Sequence, residues 1–141
     1  MKLQPFFLAL LLLLAGCSSG GIRVKTPLQG EILVPTEREA QRASRALLDK
    51  IDESQEELES IVEQSKKAIG PTKRAEREDL EKRRSELDAG VKEVLKEFLG
   101  FVPKVLAQGW VLQPFDESRY FYYSYQFKDL LPKAESGSTP N

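Results

Sequence analysis

The sequence predicts a mainly α protein: a long antiparallel helical hairpin, coiled-coil-like in its seam, with a small aromatic-rich C-terminal β-hairpin or extended segment. Three observations carry that expectation. After Thr36, no Gly or Pro interrupts the next 33 residues, and apolar residues recur there at helical spacing. Gly70-Pro71 then breaks the pattern, and a second stretch with helical periodicity comes after it. Finally, all four tyrosines and two phenylalanines crowd into residues 119–128.

Composition narrows the function. The chain has 141 residues, with 21 Lys plus Arg against 22 Asp plus Glu and a formal net charge of −1. That length fits one domain. The near-balanced charge lacks the concentrated basic surface of a nucleic-acid binder, so no nucleic-acid partner is expected. There is no His. The commonest general base, the Ser-His and Cys-His nucleophile pairs and imidazole metal sites are therefore missing. No glycine-rich phosphate loop and no Cys/His metal spacing occurs. Asp52, Glu53, Glu56, Glu57 and Glu59 cluster, but on a helix such a cluster reads as a solvated face. The expectation is no enzyme, no catalytic or metal-binding residue and no non-covalent cofactor.

The first element is a leader over residues 1–16. Lys2 gives a positive start, Phe6 to Leu14 an apolar core, and Ala15 and Gly16 small residues before Cys17. About ten apolar residues suit a signal peptide, whereas a membrane-spanning helix needs roughly 20. Cys17 is the only cysteine, so no disulfide forms within the chain.

Leu14-Ala15-Gly16-Cys17 resembles the lipobox of bacterial lipoproteins. The resemblance covers the leader and implies nothing about the domain behind it. It implies cleavage between Gly16 and Cys17, a covalent diacylglycerol on the Cys17 thiol and an N-acyl chain on the new amino terminus. Ser18 stands where an inner-membrane retention signal would place Asp. The implied address is the periplasmic side of the outer membrane, or the cell membrane of a host with only one. Two or three acyl chains hold more firmly than the marginal grip of one, at about 0.8 kcal/mol per buried CH₂.

Residues 17–35, beginning with the lipidated Cys, read as a linker rich in Gly20, Gly21, Pro27, Gly30 and Pro35. Within it Gly30 to Pro35 either forms a short edge strand or leans on the domain. The helical hairpin is expected over 36–99. Thr36 and Glu39 match a capping box, and the first helix runs to Ile69. Leu47, Ile51, Leu58 and Ile61 mark its seam, widened by Leu48, Val62 and Ile69. Thr72 is the expected cap of a second helix ending near Leu99, with Leu80, Leu87, Val91, Val94, Leu95 and Phe98 as its apolar positions. In the hairpin register Glu56, Glu57 and Glu59 fall near Lys82, Arg83 and Arg84, and Arg45 near Glu97. The apolar density is thin at the turn and high at the open end, so something further must cover that base.

The aromatic segment, 100–133, is the expected cover. Phe101 to Leu106 continue the stripe past Gly100 and Pro103 as a kinked or separate short helix, ended by Gly109. Residues 110–114 and 120–127 are expected to pair as strands around a turn at Pro114, Asp116 and Glu117. One strand face would show Phe121, Tyr123, Tyr125 and Phe127, the other Tyr120 and Tyr122. One face packs on the helices. The other, with Trp110, Tyr120 and Tyr122, is the candidate partner-binding surface. Residues 134–141 read as a polar tail.

The function these readings imply is a membrane-anchored envelope lipoprotein, a non-catalytic structural and interaction module. Its partner is another envelope protein or a second copy of itself. The alternatives are an accessory pilot or assembly lipoprotein of a secretion or envelope machine, and a peptidoglycan- or ligand-binding module.

Overall fold

The computed structural model describes residues 21–132. The expected leader, the expected acylation site at Cys17 with cleavage after Gly16, and the expected 134–141 tail lie outside the described residues. The chain is mainly helical: strands β1 (Ile22–Thr26) and β2 (Gly30–Val34), then helices α1 (Glu37–Lys67), α2 (Arg74–Ala107) and α3 (Pro114–Gln126). Short 3₁₀ turns occupy Pro71–Lys73 and Lys128–Leu130.

The first correction concerns the linker. Ile22–Thr26, read as linker, is a strand; Gly30–Val34 takes the short-strand form that was one of the two expected of it, and the two pair antiparallel, with Ile22 opposite Val34 and Thr26 opposite Gly30. Ile22, Val24 and Thr26 are buried while Arg23 and Lys25 are exposed, the period of two that a half-buried strand requires. The residues that read as linker punctuation are those of the turn. Gly30 takes a φ of 69°, which a side chain would resist. The Thr26 hydroxyl donates to the Gly30 carbonyl (3.0 Å) and accepts from the Gln29 amide (3.2 Å).

Helix α1 starts where the capping signal places it. The Thr36 hydroxyl accepts from the Glu39 amide at 3.2 Å. The reciprocal half of the box does not close, because the Glu39 carboxylate takes the Arg42 guanidinium instead. Past Lys67 the chain turns through Gly70, whose φ is 102°. Arg77 donates to the Ala68 and Gly70 carbonyls (3.1 and 2.7 Å), tying the start of α2 to the end of α1 and to the turn. Thr72 is not a cap: it lies inside the 3₁₀ turn, and α2 begins at Arg74 without a side-chain cap.

The second helix does not end near Leu99, and no separate short helix replaces it over 101–106. Helix α2 continues through Gly100 and Pro103 to Ala107. Pro103 forgoes one backbone donor. On either side of it Phe101, Val102 and Val105 are fully or almost fully buried, and that burial carries the helix past the proline. The helix ends at Gly109 (φ 83°), where the Trp110 amide reaches the Val105 carbonyl and the Gly109 amide the Leu106 carbonyl.

The expected strand pairing of 110–114 with 120–127 is likewise replaced. Residues 114–126 form α3, with Pro114 at its first turn and Asp116 and Glu117 behind it. Pro succeeded by acids suits a helix start as well as it suits a turn. Helical spacing wins because it turns Tyr120, Tyr123 and Phe127 together onto the core, whereas a strand would split them between faces.

The core forms where α1, α2, α3 and the sheet meet. Leu47, Leu48 and Ile51 of α1 pack with Val91, Leu95, Phe98 and Leu99 of α2, and Ile22, Val24 and Val34 close one side. Toward the turn packing thins to Ile61, Ala68, Leu80 and Leu87, and Ile69 is 76% exposed. The expected cross-helix charge pairs are absent among the described residues. Ion pairs within α1 and α2 are all three or four positions apart, such as Asp88 with Lys92 at 3.2 Å. Glu97 instead accepts from the Lys25 amide (2.8 Å), tying the sheet to α2. Arg45 turns to α3.

Candidate functional site

Helix α3 is held by charge on one edge and by aromatic rings on its inner face. Asp116, in its first turn, has no solvent exposure, and its Oδ1 accepts from Arg45 of α1. Its Oδ2 is buried without a hydrogen-bond partner among the described residues. Burial pushes the Asp116 carboxyl above its ordinary value, and the Arg45 charge and hydrogen bond, with the Arg119 charge, work against that rise.

One turn along α3, Arg119 makes a two-pronged bond to Asp52 of α1, at 2.5 and 3.3 Å, and also bonds the Tyr123 hydroxyl. Burial disfavours the Arg119 charge, but the bonds to Asp52 and Tyr123 outweigh it and its pKa is raised. The guanidinium groups of Arg45 and Arg119 both lie near the Phe115 ring, 5.8 and 5.7 Å from its centroid. Below them Phe98 of α2 meets Tyr120 and Tyr123 edge to face, each at 6.3 Å between centroids.

The pinning leaves an outward face. Phe115, Phe121, Tyr122 and Tyr125 are 60%, 57%, 57% and 72% exposed. Lys128 lies 4.9 Å from the Tyr125 ring centroid. Beside α3 an open groove of about 790 Å³ runs along α1, between the exposed hairpin turn at Leu28 and the start of α3. Arg38, Arg42 and Arg45 line one end and Asp49, Lys50 and Glu53 the other.

The three candidate binding residues separate. Tyr122 is outward as expected. Tyr120 is half-buried against Phe98, and Trp110 is half-buried against the core, so the expected face containing all three does not form. The cause is the change from a two-residue to a 3.6-residue period. Phe115, Phe121 and Tyr125 were missed as surface residues, and Arg45, Asp52, Asp116 and Arg119 as their support. The signal for them was present: Asp116, Tyr120, Tyr123 and Phe127 keep helical spacing.

Among the described residues, no group of three or more Cys, Asp or Glu is placed to hold a metal ion. No helix of the described residues is long and apolar enough to cross a membrane. No family model matches the chain, and no curated protein or solved structure matches it either.

Proposed function

We propose that this chain is a lipid-anchored bacterial envelope protein, a non-catalytic interaction module that binds another envelope protein through the outward face of α3. The lipobox-like Leu14-Ala15-Gly16-Cys17 supports the anchor: diacylglycerol and N-acyl chains on Cys17, on the periplasmic side of the outer membrane. The paired long helices serve as a hairpin spacer arm. The observation that carries the binding reading is the division of α3 into two faces. Its inner face is fixed by Asp116, Arg119, Tyr120 and Tyr123, while four large aromatic rings stay in solvent on the outer face. Rigid aromatic surface of this kind loses little conformational entropy on contact, which suits it to recognition.

The test is photo-crosslinking in intact envelopes from a reactive side chain at position 125. A discrete adduct with a second protein, lost when the reactive group is moved to position 83 on the far part of α2, supports the reading. An adduct with the chain itself alone shifts the role to homo-oligomeric structure. No adduct from 121, 122 or 125 refutes it.

A further inference from the structure

A separate apolar surface lies at the end of the molecule where the chain enters the fold. Ile22 pairs with Val34, which leads directly through Pro35 and Thr36 into α1. In the first two turns of α1, Glu37 accepts from the Val111 amide (2.8 Å), and Gln41 donates to the Val111 carbonyl (2.9 Å). The start of β1, the start of α1 and the loop after α2 therefore share one end.

Apolar side chains are left open there. Val111 is 57% exposed, Leu106 38%, and Trp110 is half-buried beside them. Leu33 is 56% exposed and lies against Gly21, the residue before β1; a Cβ on Gly21 would come within 2.7 Å of it. Arg23, Arg38 and Lys104 are exposed in the same region and form no ion pair among the described residues. The acid closest to the loop, Glu37, is occupied by the Val111 amide. Aromatic and apolar residues beside three cations, Arg23, Arg38 and Lys104, that outnumber the one acid bonded to the loop, Glu37, match the interfacial zone of an anionic bilayer.

The length of chain outside the fold identifies the occupant. Five residue steps separate Cys17 from Ile22, which reach at most about 18 Å. Helix α1, with 31 residues, is about 46 Å long. An acyl group on Cys17 therefore holds this end against the lipid. We propose that Leu106, Trp110 and Val111 dock on the bilayer surface, so that the protein is seated on the membrane by its base rather than swinging on a tether. The proposal rests on the lipid-anchor reading.

Trp110 is the only tryptophan, so its fluorescence reports this contact alone. The experiment uses the full chain purified from a bacterial membrane fraction and reconstituted in phosphatidylethanolamine–phosphatidylglycerol vesicles, with or without lipid brominated near the headgroup. The expected result is loss of about half of the Trp110 emission in brominated vesicles. Leu106→Glu/Val111→Glu should abolish that loss while the protein still floats with the vesicles, and Ile69→Glu at the far turn should leave it unchanged. A floating wild-type protein whose emission is unaffected by brominated lipid overturns the docking and leaves the anchor standing. A protein of unmodified mass that does not float overturns both.

Discussion

Removing Arg45 tests whether a buried charge pair holds α3. In Arg45→Met the apolar stem is kept and the guanidinium is lost. Asp116, without solvent exposure, then has no donor for either carboxylate oxygen. Stripping one partner from a buried pair costs about 3–5 kcal/mol. Arg45 is itself 42% exposed, so part of its interaction is already screened, and roughly 2–3 kcal/mol is expected. The cost depends on pH. Burial already raises the folded-state value of Asp116 above its unfolded one. Between those two values the native state binds the extra proton, so the stability from this group is fully present below about pH 4 and declines as pH rises through the raised value. Loss of Arg45 raises that value further, because the opposing charge and hydrogen bond are gone. The penalty should therefore be smaller at pH 4.5 than at pH 7.5. Urea unfolding of the soluble Cys17→Ser chain, monitored by circular dichroism at both values, measures it. Arg45→Met/Asp116→Leu should recover most of the loss, since the uncompensated charge is then gone. Equal losses at both pH values, or a double variant as unstable as the single, would refute the reasoning.

Phe98 is the ring on which Tyr120 and Tyr123 both rest, and it is fully buried. Phe98→Ala should cost about 3–5 kcal/mol and weaken the near-ultraviolet dichroism of the tyrosines while helical content is largely retained. Thr36→Ala removes the acceptor for the Glu39 amide and should cost about 1 kcal/mol in urea unfolding, with Thr36→Ser restoring it. Tyr125→Ala, at a position 72% exposed, should change stability by no more than about 0.5 kcal/mol while reducing recovery of the envelope partner.

The helical elements were legible because their signals are local. Thr36 caps α1, Gly109 follows the end of α2, and Gly70 sits in the turn between the two helices, both glycines in the left-handed backbone that favours glycine. Strand β1 was obscured because Ile22 and Val24 alternate over too few residues to stand out from the Gly and Pro around them; their burial comes from distant contacts with α1 and α2. Pro103 was over-read, since the burial of Phe101, Val102 and Val105 outweighs one lost backbone bond. The aromatic segment misled through propensity. Tyr and Phe favour strands in general, but here what decides is the surface they must cover, and only a 3.6-residue period brings Tyr120, Tyr123 and Phe127 onto it. That one change of period moved the candidate surface from Trp110, Tyr120 and Tyr122 to Phe115, Phe121, Tyr122 and Tyr125. The partners of Arg45 and Arg119, 71 and 67 positions away, have no signature in the chain's order.

The most direct test of the account is the intact mass of the protein taken from the membrane of a bacterial host. The predicted species begins at Cys17 and carries a diacylglyceryl group on its sulfur and a fatty acyl group on its amino terminus; Cys17→Ser removes both and frees the chain from the membrane fraction. A membrane-extracted chain that begins elsewhere, or that presents Cys17 as an unmodified thiol, would contradict it.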